Sequence, residues 1–194
     1  RFEHQVNAIG MTLLQYVPLA DPIKISRLTL HNKSDKPRRI SVTAYAEWVL
    51  ATSRGATGPF IITEMDELTG AMLARNPWSM AFPGRISFAD LNGRQQCWTA
   101  NRSEFLGYYG NSSEPAALVA GIPLSGSTGA GVDPCSALQQ TIELAAGEQI
   151  EVVWFIGQCA SVSKAQALIT RYRAADLDAV LSEVIDYWRT LLET

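Results

Sequence analysis

Two packed antiparallel β-sheets followed by a helical C-terminal segment are expected for this 194-residue chain, on three grounds. Up to about Gly157 the apolar residues keep a period of two, in short runs rich in β-branched and aromatic side chains. Turn-forming residues punctuate those runs at close intervals, as they do in sandwiches. Beyond Gln158 the period changes to that of a helix.

The first residues, RFEHQVNAIG, read as the interior of a strand. IKISRLTLHN (residues 23–32) and RRISVTAYAEW (residues 38–48) are strand-like and flank the polar cluster Lys33-Ser34-Asp35-Lys36-Pro37, which predicts a hairpin. In the second strand Ile40, Val42, Ala44, Ala46 and Trp48 share one face, opposite Arg39, Ser41, Thr43, Tyr45 and Glu47. Trp48 is therefore expected in a core, and Trp98, Trp154 and Trp188 fit core positions as well. RISFADL and RQQCWTA flank Asn92-Gly93, a pair suited to the positive φ angles of a type I′ turn, so a second hairpin is expected there. ALQQTIEL and EQIEVVWFIG alternate on either side of Ala145-Ala146-Gly147 and predict a third antiparallel pair. Residues 110–134, rich in Gly, Ser, Ala and Pro, follow neither period; loops longer than about 15 residues in compact domains are usually functional or mobile, which makes this a candidate contact loop.

Ser163-Lys-Ala-Gln166 has the pattern of a capping box, and Asp176 is placed to cap a second helix. Along that second helix Leu177, Val180, Leu181, Val184, Trp188 and Leu191 form one apolar stripe, which needs a surface to cover: the back of a sheet or another domain. The expected division is a sandwich over residues 1–160 and helices over residues 161–194.

With 47% hydrophobic and 18% charged residues and a net charge of −3, the chain has the composition of a globular protein and no global positive field for nucleic acid. Its one basic cluster, HNKSDKPRR, belongs to a turn. No run approaches the ~18 apolar residues of a membrane span, and there is no signal segment. The lack of an initiator Met and the helical pattern that continues through YWRTLLET suggest a piece of a larger polypeptide. Cys97, Cys135 and Cys159 are odd in number and widely spaced, which favours reduced core residues over a disulfide framework. His4 and His31 stand at no ligand spacing from a cysteine or carboxylate, so neither a metal nor a cofactor is expected.

No catalytic motif stands out: the chain lacks GxSxG, a phosphate loop, HExxH, CxxC and a strand-linked GxGxxG. The carboxylates of Glu3, Glu47, Glu64, Asp66, Glu67 and Glu104 read as solvated strand faces and turns. Acid/base chemistry of the sugar-epimerase type would need histidines working with carboxylates, and two histidines give it little material. Trp78, Tyr108 and Tyr109, beside turn residues, read either as packed side chains or as candidates for stacking on sugar rings or for an interface.

The strings ISRLTLHNKSDKPRRISVTAYAEWVLATSRGAT, LARNPW, RSEFLGYYG, GAGVDPCSALQ and RYRAADLDAVL together resemble the β-sandwich domain of cyclic β-1,2-glucan synthases, in glycoside hydrolase family 94 with the cellobiose and chitobiose phosphorylases. The resemblance runs over essentially the whole chain. It implies a mainly β, galactose-mutarotase-like supersandwich with C-terminal linker helices, followed in the same polypeptide by an (α/α)₆ barrel that carries the catalytic acid. It further implies a non-catalytic, carbohydrate-associated role on β-1,2-glucan, homodimer formation, and a place at the cytoplasmic face of the inner membrane within a larger membrane protein. The alternative is an interdomain or dimer scaffold with no sugar contact. In the phosphorylases a sandwich loop helps form the acceptor subsite of a neighbouring subunit, and the matching stretch here is Arg102 to Gly110. That match makes Arg102, Glu104, Tyr108, Tyr109 and Asn111 the expected sugar contacts, although the phosphorylases often carry Arg where Tyr108 follows the FLG.

Overall fold

The computed structural model describes residues 1–193. Its larger sheet has the strand order β1 (Phe2–Val6), β2 (Ile9–Tyr16), β3 (Ile23–Asn32), β10 (Gln149–Cys159), β7 (Ile86–Asp90), β6 (Met72–Arg75), β5 (Ile62–Met65). The smaller sheet has the order β4 (Arg38–Glu47), β9 (Pro134–Leu144), β8 (Cys97–Asn101). Every pairing between these strands is antiparallel. Three short helices, α1 (Arg54–Thr57), α2 (Arg102–Leu106) and α3 (Ala116–Ala120), lie in connections, and α4 (Val162–Ala174) and α5 (Leu177–Leu192) follow β10.

The larger sheet is covered on both faces. Ala44, Trp48, Met72, Leu91, Leu138 and Val152 pack between the sheets. On the other face Ile23, Ile25, Phe88 and Phe155 meet Leu168, Ile169 and Tyr172 of α4. Burial from two sides explains why β7 is buried at all five positions and why its sequence shows no polar face.

All three expected hairpins are instead crossings between the sheets. Residues 33–37 carry the chain from β3 to β4, Asn92-Gly93 lies between β7 and β8, and residues 145–147 lie between β9 and β10. Asn92 and Gly93 do take the positive φ angles expected of them, 54° and 69°. A turn signal reports that the chain reverses and alternation reports a buried face, but neither names the partner strand. The hairpin nearest the start joins β1 to β2 through Asn7-Ala8, at φ 49° and 62°, and Ala in the left-handed region gives no sequence warning of it.

Two of the crossings are tied together by Asn32, whose side chain is fully buried. Its Nδ2 donates to the carbonyls of Lys36 at 2.7 Å, Ala145 at 2.9 Å and Leu144 at 3.1 Å, and its Oδ1 accepts from the Ser34 amide and hydroxyl. Its backbone bonds Glu148 and Gly147. One amide therefore satisfies both bends.

The helices follow the sequence with one shift in cap. Ser161, not Ser163, caps α4 by accepting from the Lys164 amide, and Gln166 reaches sideways to Asp66 Oδ1 at 2.8 Å rather than back to the helix start. A tertiary acceptor outcompetes the local box. Asp176 caps α5 as expected. Arg173 grips Asp90, which has no exposed surface, through Nε to Oδ2 at 2.9 Å and Nη2 to Oδ1 at 2.6 Å, and also donates to the Thr69 carbonyl. The stripe on α5 divides: Leu177, Val180, Leu181 and Val184 pack on the sheet, while Trp188 is 51% exposed and is not a core residue. No helix among the described residues is long and apolar enough to cross a membrane.

Replacing Asn32 by Ala is expected to destabilise the fold by about 3 kcal/mol, because it strands buried carbonyls in both crossings. A urea titration checks this: the midpoint should fall while the slope stays unchanged.

Candidate functional site

The segment RSEFLGYYGN leaves the smaller sheet at the end of β8. Asn101 caps α2 by accepting from the Ser103 amide, and Phe105 and Leu106 bury themselves against Leu124 and Ala137. Phe105 also stacks on Tyr45 with ring centroids 5.0 Å apart. Gly107 then turns the chain at φ 90°. A Cβ at Gly110 would lie 1.6 Å from the Leu106 carbonyl oxygen, so this close return of the backbone admits only glycine.

The five expected contact residues separate into anchors and exposed groups. Glu104 accepts from Thr99 Oγ1 at 2.6 Å and from the Ser125 amide and hydroxyl, both at 2.8 Å, which ties the long 110–134 connection to β8. Arg102 donates to Glu47 at 2.9 Å and to the Gly110 carbonyl at 3.5 Å. Tyr108 and Tyr109 are 80% and 96% exposed and meet edge to face at 5.2 Å. Asn111 is exposed and accepts from the Ser113 amide at 2.8 Å. The structure thus presents two aromatic rings and an amide on a turn whose base is fixed by a carboxylate and a guanidinium.

Beneath the turn lies a charge network that the sequence reading did not assemble. Glu47 receives Arg102 and Tyr45 Oη, while Arg54 bonds Asp133 and approaches Glu47 at 3.4 Å. Burial works against the charged form of Glu47, but the bonds from Arg102 and Tyr45 and the charge of Arg54 prevail, holding its carboxyl below the ordinary value. Burial pushes the Tyr45 hydroxyl up, with Glu47 adding to the effect. Beside the network a groove of about 560 Å³ is lined by Arg54, Pro59, Val132 and Asp133. The four charged members come from β4, α1, α2 and the segment before β9, separations of up to 86 residues that no spacing motif reveals.

Glu64 pairs with Arg75, Asp66 is held by Thr69 and Gln166, and Glu3 pairs with Arg1, so the carboxylates serve separate partners. Burial pushes the Cys135 thiol up to about 12. The described cysteines are unpaired, and no group of three or more metal-ligating side chains occurs among the described residues. Trp78 is 72% exposed and lies 5.5 Å from Phe60, a second exposed aromatic pair.

Two outcomes test this arrangement. Gly110→Ala should open the turn, abolish the Tyr108–Tyr109 edge contact seen in ring-current shifts, and cost about 2 kcal/mol of stability. Because Glu47 has a depressed pKa, its contribution to stability is present above the unfolded value of 4.5 and is lost as pH falls through the lower folded value. Stability curves of the wild type and Glu47→Gln should therefore differ at pH 6 and converge in acid below that window.

Comparison with known proteins places the fold. The chain matches the family described as glycosyl hydrolase 94, supersandwich domain, over residues 1–175. It is 37% identical over 167 residues to the cyclic beta-(1,2)-glucan synthase NdvB of Rhizobium meliloti, an alignment covering 86% of this chain and 6% of that protein. The chain thus spans a small fraction of that relative's length. Among solved structures a polysaccharide lyase superposes with a TM-score of 0.50 at 9% identity, covering 83% of this chain and 21% of that one, a likeness of fold alone. On the match across most of its length, together with two antiparallel sheets backed by helices, this chain belongs to the glycosyl hydrolase family 94 supersandwich-domain family.

Proposed function

We propose that this chain is the supersandwich of a cyclic β-1,2-glucan synthase and that it contacts β-1,2-glucan without itself carrying the catalytic groups. The observation that carries the reading is the Tyr108–Tyr109 pair, two rings open to solvent on a turn that Arg102 and Glu104 hold at its base. Exposed aromatic faces suit sugar rings, and Asn111 beside them offers an amide to hydroxyl groups. Arg102 and Glu104 then act as positioning residues, since their polar atoms are already committed to the chain. The similarity to a glucan synthase supplies the class of sugar, and the phosphorylase-like barrel of the same polypeptide supplies the chemistry. The assembly would lie at the cytoplasmic face of the inner membrane.

One observation favours a second reading, a scaffold for the following domain or a homodimer. The second half of α5 leaves Ile185, Tyr187 and Trp188 each near half exposed, beyond the part of its stripe that the sheet covers.

Titration with β-1,2-gluco-oligosaccharides separates the two. Saturable chemical-shift changes at Tyr108 and Tyr109 are expected, with affinity reduced at least about tenfold, or ~1.4 kcal/mol, in the Tyr108→Ala/Tyr109→Ala double variant. Absence of any shift there leaves the scaffold reading, and phosphorolysis by residues 1–194 alone would overturn the non-catalytic one.

A further inference from the structure

The groove of about 560 Å³ runs between α1, with the residues that follow it, and the segment just before β9. Clefts of this size hold small ligands or one stretch of a longer one. Part of its lining is bare backbone: Gly55 and Gly131 both face it, and a Cβ built at either would meet nothing within 4 Å. A ligand ring can therefore approach the main chain closely there.

Two charged side chains of the lining retain unused hydrogen-bonding groups. Arg54 donates from Nη2 to Asp133 Oδ1, while its Nε lies 3.4 Å from Glu47 Oε2 without completing a hydrogen bond. Asp133 Oδ2 stands 3.9 Å from Arg102 Nη1, beyond bonding distance as well. Among the described residues nothing bonds Arg54 Nη1 or Asp133 Oδ2, and the two side chains are 34% and 30% exposed, so solvent reaches both. A donor beside an acceptor matches a sugar hydroxyl, which is both at once.

Exposed aromatic rings stand at both ends of this groove. At one end Asp133 approaches Arg102, which reaches the carbonyl of Gly110, the residue after Tyr109. At the other end Pro59 lines the groove, and Phe60 next to it meets Trp78 with ring centroids 5.5 Å apart. The Trp78 ring is not loose on its loop. The buried side chain of Asn76 accepts from the Trp78 amide at 3.0 Å and donates to the Leu50 carbonyl at 3.2 Å, which fixes the turn that carries it.

We infer that the groove and the Phe60–Trp78 pair are further sugar subsites, so that the Tyr108–Tyr109 turn, the Arg54–Asp133 pair and Trp78 form one track for a β-1,2-linked glucose chain. The inference rests on the sugar contact proposed above for the turn. Aromatic faces alternating with a pair that bonds hydroxyls suit an uncharged polymer. The charges along the track cancel, Arg54 and Arg102 against Glu47 and Asp133, so it offers no net field to draw a phosphate or a nucleic acid. Units on neighbouring subsites belong to one molecule, and each further contact adds affinity without a second association cost. Chain length then becomes the property of the glucan that this domain measures.

Titration with β-1,2-linked glucose chains of increasing length, from the dimer upward, tests this. The Kd should fall at least about tenfold between the dimer and chains long enough to reach Trp78, and those chains should shift the Gly55 and Gly131 amides and the Trp78 indole as well as the tyrosines. Trp78→Ala removes an exposed ring, and Gly55→Leu adds a side chain where the groove is open, at a helical position that favours Leu over Gly. Both variants should melt no lower than the wild type and bind long chains no more tightly than the dimer. Affinity independent of length, with shifts confined to Tyr108 and Tyr109, would overturn the track and leave the reading of the turn standing. A gain with length that survives both variants would overturn it equally. No shift at either tyrosine with chains of any length would overturn the reading of the turn, and the track with it.

Discussion

The passage of the chain between its two sheets depends on a buried side chain, Asn32. A bend that leaves a sheet must satisfy carbonyl groups that no ladder can reach, and in a dry interior each unmet group costs about 1–3 kcal/mol. Asn32 meets three of them from two bends more than a hundred residues apart, and its own carbonyl accepts from the second of those bends. The crossing from β3 to β4 and the return from β9 to β10 are thus one structural unit. The basic residues around the first bend remain on its solvated side: Lys33 reaches Gln5, and Arg39 makes an exposed pair with Glu143.

A similar division of labour holds the helices and the turn. Apolar burial places α4 on the larger sheet, while Arg173 on Asp90 and Gln166 on Asp66 fix where along the sheet it sits. Hydrogen bonds to charged groups are stronger and more directional than neutral ones, so they suit positions where packing alone would permit sliding. On the opposite side, Phe105 and Leu106 seat α2, and Glu104 and Arg102 then decide the course of the flanking loops. What remains exposed after these commitments is the pair Tyr108–Tyr109, carried on a well-braced base.

The reading of the FLGYYGN stretch shows how far sequence reaches into a site. Turn residues beside Tyr108 and Tyr109 left packing and exposure both open, and the structure exposes both rings. The commitments of Arg102 to Glu47 and of Glu104 to Ser125 were not legible, since each partner lies on another element brought near by the fold. The same reason accounts for Trp188, which obeys the apolar period of α5 but lies past the part of the helix that the sheet covers.

By itself the sequence determined the class of the protein. Period two, then period 3.6, follows from the geometry of strand and helix, and turn residues mark reversals because few residues tolerate the backbone angles required. It also determined Trp48 as a core residue and Asp176 as a cap, because each depends on near neighbours. Tertiary structure alone decided which strands pair, that three apparent hairpins cross between sheets, and that β4 lies at an edge of the smaller sheet. Strand pairing is satisfied by backbone groups that every residue carries, so the choice of partner is made by long-range packing and buried polar ties such as Asn32, not by local chemistry.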